Sequence, residues 1–528
     1  MISENDAILG ILHMRLITSL ICFVAWCSVT SAADKPNIII FLADDLGYAD
    51  IGVNGCKDIP TPHVDALANN GVRFTDGYAT HPVCSPSRAG LMSGMYQHRF
   101  GFEHNSGPER FASPDFGLPR DVPSLAEKLK SAGYATGMVG KWHIGFKEGL
   151  RPHERGFDIH YGFLSGARSY YPNNPRELDP IVRNGQPVSG ETDYLTDAFA
   201  RESVDFIDRS KDQPWFLYLA FNAVHLPLEA TEKYEARFPH ITDKKRKTYA
   251  GMLSALDDAV GRVMAKVREL GQEENTLVFF YSDNGGPTPE TSSRNDPLRG
   301  YKGQMFEGGI RVPFVMQWKG KIAAGQTYRE PVMGFDCHAT ALAAAGVELA
   351  GDKPIDGVNL LSFLTGMANG RPHEQLFWRA GPQHAARVGD WKLVTLPRNG
   401  GSMLFNLRDD IGEQNDLAAS RPDKLKELQT AFAEWETGTI EAKWIRQDQR
   451  NAEPGGKLKA DAGSGTTQRR PAASRVDAAF KAADKNNDGK LSRDEYPQPG
   501  VFNAVDANKD GFATLEEVRA YFRNRQGN

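Results

Sequence analysis

Ile38-Ile39-Ile40-Phe41-Leu42-Ala43-Asp44-Asp45 is the stretch from which the fold is read. Its first five residues are β-branched or bulky and apolar, with nothing polar among them to face water. That is the pattern of a strand buried on both faces. Similar runs recur at Ala135 to Val139, Trp215 to Phe221, Thr276 to Tyr281 and Val312 to Trp318. They alternate with amphipathic helical patterns, including Val122 to Ala132 and Tyr249 to Leu270, which predicts an α/β fold with a largely parallel sheet. Each of the first four strands runs into polar residues: Ala43-Asp44-Asp45, Gly140-Lys141-Trp142-His143, Asn222-Ala223-Val224-His225 and Ser282-Asp283-Asn284-Gly285-Gly286. Open α/β sheets bind ligands where such strand ends converge.

Outside these runs the sequence sets bounds. At 528 residues, and about 150 residues per domain, two to four units are expected. A net charge of -5 carries no basic excess, so nucleic acid is not the expected partner. The basic run Lys244-Lys245-Arg246-Lys247 reads as a solvated helix face. Arg15, the apolar stretch from Leu16 to Trp26 and the small residues Thr30-Ser31-Ala32-Ala33 make residues 1–33 a signal peptide for export to the periplasm or outside. Glu4 and Asp6 fit the start of a signal badly, which points to translation from Met14. No later stretch reaches the roughly 20 apolar residues of a membrane span. Removing the signal reduces five cysteines to Cys56, Cys84 and Cys337, too few for a disulfide framework. Cys56 and Cys337 are expected to be buried, inert thiols.

From about Arg371 the runs become short strand candidates, such as Trp391 to Thr395 and Met403 to Leu407, followed by a helix from Pro422 to Trp435. This predicts a main α/β domain over 34–370 and a smaller antiparallel subdomain over 371–450. Residues 451–475 have almost no large apolar side chains and read as a flexible linker. Residues 476–528 carry two calcium loops of EF-hand type. Asp484, Asn486, Asp488, Ser492 and Glu495 supply oxygens in the first, with Gly489 at the sixth place and Lys490 at the seventh. Asp506, Asn508, Asp510, Thr514 and Glu517 repeat the pattern, with Gly511 and Phe512 in the corresponding places. Pro497 and Pro499 interrupt the helix between the loops, so the module also has a dockerin-like aspect, with a scaffold as the implied partner.

Cys84-Ser85-Pro86-Ser87-Arg88-Ala89-Gly90 admits two chemistries: a thiolate nucleophile, or oxidation of the cysteine to an aldehyde, for which C-x-P-S-R is the signal. With Leu91, Ser93 and Gly94 added, the stretch resembles type I sulfatases, from about Lys35 to about Trp435; Met95 departs from the arginine often found there. The resemblance implies an alkaline-phosphatase-like mixed sheet flanked by helices, and a maturation enzyme that converts Cys84 to formylglycine. It implies calcium on Asp44, Asp45, Asp283 and Asn284, completed by the oxygen derived from Cys84. It also implies that Arg88 orients the hydrated aldehyde, that Lys141 and Lys302 grip sulfate, that His143 takes a proton and that His225 gives one to the leaving group. Four hard oxygen ligands suit calcium, and a sulfate ester needs fixed positive charge around it. A sulfated carbohydrate is the expected substrate; Arg168, Tyr170 and Tyr171 are candidates to line a pocket for its rings, with structural packing the equal alternative for the two tyrosines. A phosphoester or phosphonate hydrolase of the same superfamily is the alternative; a calcium-dependent binding protein on an inactive scaffold is the non-enzymatic one.

Overall fold

The computed structural model describes residues 35–107, 113–174, 179–349, 355–396, 401–444, 480, 483–486, 488–493, 495 and 502–524. The expected signal peptide and linker lie outside them. The chain forms two compact units, residues 1–458 and 459–528.

In the first unit the strands are β1 (Asn37–Ala43), β2 (Val72–Phe74), β3 (Gly77–Tyr78), β4 (Ala135–Lys141), β5 (Ile159–Phe163), β6 (Val182–Arg183), β7 (Gln186–Pro187), β8 (Trp215–Ala220), β9 (Thr276–Ser282), β10 (Phe314–Gln317), β11 (Gln326–Tyr328) and β12 (Val332–Met333). Ten of them form one sheet in the order β11-β2-β10-β9-β1-β8-β4-β5-β6-β7, while β3 and β12 pair separately. Its centre, β9-β1-β8-β4-β5, is parallel. Towards the edges it becomes mixed, since β10 runs against β9 and β2, and β6 against β5.

All seven residues of β1 are buried. Alternation divides them between two cores. Ile39, Phe41 and Ala43 join one with apolar residues of the helices Leu195–Ser210 and Lys244–Glu269. Ile38, Ile40 and Leu42 join the other with residues of Cys84–Ser93, Leu125–Ser131 and Asp336–Ala344. Burying each large apolar side chain contributes roughly 1.5–3 kcal/mol, so a central strand with five consecutive large apolar residues, Ile38 to Leu42, is strongly held. Two helix starts are fixed by side chains: Ser124 and Glu127 form a capping box, and Asp243 accepts from the Arg246 amide. The basic run at this second start is not wholly a solvated face. Arg246 turns inward, 5% exposed, onto Asp50 (2.8 Å) and Asp58 (3.0 Å), because the buried Asp50 carboxylate needs a cation.

The strands β13 (Gln375–Ala380), β14 (Gln383–Val388), β15 (Trp391–Leu396) and β16 (Gly401–Asn406) form an antiparallel sheet in that order, and the helix Pro422–Glu436 packs on it. A buried ionic cluster joins this sheet to the rest of the unit. Lys392 reaches Glu307 (2.7 Å) and Glu413 (2.9 Å), while Arg387 and Arg311 share Asp76 at 2.7 and 2.8 Å. Breaking a fully buried pair by removing one partner leaves an uncompensated charge. Lys392→Ala is therefore expected to destabilise the protein by about 3–5 kcal/mol, read as a lowered thermal midpoint; an unchanged midpoint contradicts that role.

In the second unit β17 (Lys490–Ser492) and β18 (Phe512–Thr514) pair antiparallel, and the helices Phe502–Val505 and Leu515–Asn524 flank the second loop. Leu491, Phe502, Val505, Ala513 and Val518 form its core. The strand pair is an addition to the helices expected from sequence.

Candidate active site

The parallel register places the four strand ends side by side. Ala43 pairs with Ser282, and Ala220 lies beside both Leu42 and Gly140. Asp44, Asp283, Asn222 and Lys141 thus leave the sheet on one edge. Close approach at this edge demands glycine: a Cβ on Gly140, whose φ is +111°, would lie 1.9 Å from the Ala220 oxygen, and one on Gly285 would lie 1.9 Å from the Gly308 oxygen. Asp45 and His143, at φ 64° and 61°, adopt the left-handed conformation without being glycine. That costs on the order of 1–2 kcal/mol each, a strain typical of functional sites.

Cys84 begins the helix Cys84–Ser93 and is 1% exposed. Its Sγ lies 3.6 Å from Asp44 Oδ1 and receives Lys302 Nζ at 3.2 Å. Lys302 also pairs with Asp45 Oδ1 at 2.6 Å, and Lys141 with Asp44 Oδ2 at 2.6 Å. Arg88, one turn along the helix, contacts Asp283 through Nε (2.9 Å) and Nη2 (2.8 Å), and its Nη1 donates to the Lys141 carbonyl at 2.9 Å. Three carboxylates therefore face three cations in a dry crevice. Burial raises Asp44, but Lys141, His225 and Arg88 bring it below the ordinary carboxylate range. In Asp45, likewise, Lys302 and His225 outweigh burial. Asp283 goes the other way, raised by burial and by Asp44.

His225 Nε2 lies 3.6 Å from Asp45 Oδ2, and its Nδ1 is 2.7 Å from the Leu226 carbonyl. A carbonyl accepts only, so Nδ1 carries the hydrogen. The His143 ring is buried next to Gly166, its Nδ1 has no hydrogen-bond partner, and Ser106 Oγ donates to its carbonyl at 2.8 Å. Burial, then Lys141 and Arg88, hold His143 well below the usual imidazole range.

Asp44, Asp45, Cys84 and His225 offer ligand atoms within 4.8 Å of one another. Asn284 sends Nδ2 to Asp45 Oδ1 at 2.7 Å, which leaves its own Oδ1 buried with no hydrogen-bond partner among the described residues. An orphaned amide oxygen beside two carboxylates fits a hard cation. The structure brings the expected residues together: His225 lies beside the carboxylates with Nε2 3.6 Å from Asp45 Oδ2, while Asp283 is engaged by Arg88. In the second unit, Glu495 Oε2 accepts from the Ser492 amide (3.0 Å) and Glu517 Oε2 from the Thr514 amide (2.9 Å). Gly489 and Gly511 take φ of 80° and 87°, as the sixth place of each loop requires.

The sulfatase family profile matches residues 36–347, and an EF-hand profile matches 476–496 and 500–522. The N-acetylgalactosamine-6-sulfatase of Sus scrofa is 35% identical over 402 residues, 72% of this chain and 74% of its own. This chain belongs to the sulfatase family. The sulfatase also resembles the crystal structure of Ps i-CgsB in complex with k-i-k-neocarrahexaose, with a TM-score of 0.75, 37% identity and coverage of 79% of this chain and 96% of that one. The phosphonate monoester hydrolase of Agrobacterium radiobacter, at 19% identity and a TM-score of 0.54, covering 75% of this chain and 96% of its own, shares the fold. Family membership makes the protein a sulfuric ester hydrolase of alkaline-phosphatase-like architecture with a C-terminal EF-hand module. Among the described residues no helix is long and apolar enough to cross a membrane.

Other expectations are corrected. Arg168 and Tyr170 are 4% and 0% exposed, and the Tyr170 hydroxyl is taken up by the Asn222 and His225 carbonyls, which favours packing for it; Tyr171, at 41%, faces solvent. Cys337 is buried, but Cys56 is half-buried and donates to Asp58 Oδ1 at 3.3 Å; both are free. Met95 is packed in the second core, where an apolar side chain suits its surroundings. The sequence reading missed the second layer of the site. Ser85 and Ser106 hold the His143 carbonyl, and Gln383 donates to the Gly303 carbonyl at 2.9 Å beside Lys302. Only proximity to the Cys84 motif hinted at Ser85; nothing hinted at Gln383.

Proposed function

We propose that this sulfatase hydrolyses sulfate esters of carbohydrates, using formylglycine made from Cys84 by a maturation enzyme and calcium held by Asp44, Asp45, Asp283 and Asn284. The observation that carries the reading is the Cys84 sulfur, sealed at a helix N-terminus between Lys302 at 3.2 Å and Asp44 at 3.6 Å. It stands in for the aldehyde-derived oxygen. The sulfur itself is poorly suited to attack: burial, helped by Asp283 and Asp44, pushes the thiol up to about 12 despite Lys141 and Lys302. A thiol so raised stays protonated at neutral pH. Oxidised and hydrated, residue 84 supplies one hydroxyl to attack sulfur and a second whose deprotonation lets sulfate leave as the carbonyl re-forms.

Charge balance supports the metal. Three carboxylates against three cations leave no excess attraction for an anion, whereas calcium, when bound, supplies two fixed positive charges. Lys141 and Lys302 then hold the sulfate oxygens, and Arg88 orients residue 84 through its helix. Burial leaves His143 neutral, the state that accepts the proton of the second hydroxyl. His225 directs Nε2 towards the carboxylate cluster, where, as the imidazolium with a hydrogen on each ring nitrogen, it protonates the departing alcohol and is left with the Nδ1 hydrogen alone. The carbohydrate class follows the names of the relatives, together with the export signal expected from residues 1–33. The EF-hand module is a calcium-stabilised appendage, available as a tether to a scaffold.

Enzyme co-expressed with a formylglycine-generating enzyme is expected to release inorganic sulfate from at least one member of a panel of defined sulfated saccharides. No sulfate from the panel, with release of phosphate or phosphonate from ester analogues, would transfer the assignment to the phosphoester alternative.

A further inference from the structure

The loop that delivers His225 has no helix or strand between Ala220 and Glu232. Its conformation is imposed from outside, by the Asp44 backbone, which bonds the Ala223 carbonyl (2.9 Å) and the Val224 amide (2.7 Å), and by residues 169–171 and Tyr194. Tyr170 is fully buried, and its hydroxyl lies 2.5 Å from the Asn222 carbonyl and 2.8 Å from the His225 carbonyl. The His225 amide donates to the same Asn222 oxygen at 2.9 Å, so residues 222–225 form a turn with both ends on one phenol. Further along, Glu229 Oε2 accepts from the Tyr170 amide (2.8 Å) and from Ser169 Oγ (2.7 Å). Tyr194 and Tyr171 donate to the carbonyls of Glu229 (2.8 Å) and Ala230 (3.0 Å). Tyr170 and Tyr194 stack with centroids 5.6 Å apart and planes 18° apart, which stiffens the wall that does the holding.

The Leu226 carbonyl holds one ring hydrogen on Nδ1, so Nε2 is the nitrogen left to carry the exchangeable proton, and the turn beneath sets where it points. We propose that Tyr170 is the positioning residue for His225, its buried hydroxyl locking the 222–225 turn so that Nε2 meets the leaving oxygen. The inference rests on the proposed role of His225 as proton donor.

A donor out of place harms substrates in proportion to their need for a proton. With 4-nitrophenyl sulfate, whose phenolate leaves unaided, Tyr170→Phe is expected to retain kcat/KM within about threefold. With 4-methoxyphenyl sulfate, whose phenolate leaves poorly, it is expected to lose about 10- to 100-fold, mostly in kcat. Inhibition by inorganic sulfate should be unchanged. Glu229→Gln loosens the same loop from its other end and should show the same signature in smaller degree, which keeps the test decisive should Tyr170→Phe not fold. Tyr134→Phe removes a comparable hydroxyl, bonded to the Pro36 carbonyl at 2.9 Å; it should lower thermal stability without any dependence on leaving group. An equal loss on both esters, or no loss on either, overturns the positioning role. Wild-type enzyme that cleaves neither these esters nor any saccharide of the panel overturns the sulfatase mechanism, whereas an equal response of the variants on esters the wild type does cleave overturns the positioning role alone.

Discussion

Cys84→Ala is expected to fold normally and to have no measurable turnover of any sulfate ester, a loss of at least ~10⁴-fold. The fold should survive because the side chain removed is small and its neighbours remain paired: Lys302 keeps Asp45 and Lys141 keeps Asp44, each at 2.6 Å. Chemistry should not survive, because no other described nucleophile sits between the two lysines and the carboxylates. Cys84→Ser sharpens the result. A serine could accept sulfate but could not expel it by carbonyl formation, so it should be as inactive on repeated turnover as alanine. A serine variant with sustained turnover would favour the phosphoester type of mechanism. Unaltered turnover in Cys84→Ala would refute the role of residue 84.

Lys302→Ala is expected to lower kcat/KM by about 10²–10³-fold, the usual effect of removing one preorganised donor from a water-excluded site. Lys302 is the side chain that touches both the residue 84 sulfur (3.2 Å) and a proposed calcium ligand, Asp45 (2.6 Å). Its loop is pinned by Gly303 N to the Pro82 carbonyl at 2.9 Å and by Gln383, so alanine should not disturb its path. Steady-state kinetics on 4-nitrophenyl sulfate, with the thermal midpoint as a folding control, tests this. Full activity at an unchanged midpoint would remove Lys302 from the site.

The sheet and the first layer of the site were legible because each rests on short-range pattern. Ile38 to Leu42 announce a doubly buried strand without reference to the rest of the chain, and the rule for open sheets then sends Asp44, Lys141, His225 and Asp283 to one edge. Roles within that edge were less legible. The resemblance supplied Lys302, whereas its contact with Cys84 spans 218 positions. For Tyr170 the sequence left pocket lining and packing equally open for a plain reason: a tyrosine among Arg, Ser and Asn in a connecting segment carries no local sign of burial, and only the tertiary fold shows its hydroxyl buried on the His225 turn. The cluster of Lys392, Glu307 and Glu413 had no local signature either, since its members lie on separate segments and become partners only when the four-stranded sheet docks.

The central claim is that residue 84 of the active enzyme is an aldehyde seated among Asp44, Lys141 and Lys302. Mass spectrometry of the peptide containing residue 84, from protein that is turning over sulfate ester, tests it directly. The account predicts a peptide about 18 mass units lighter than the cysteine form, in a fraction that tracks specific activity. Full sulfatase activity from protein in which residue 84 is entirely unmodified cysteine would contradict it.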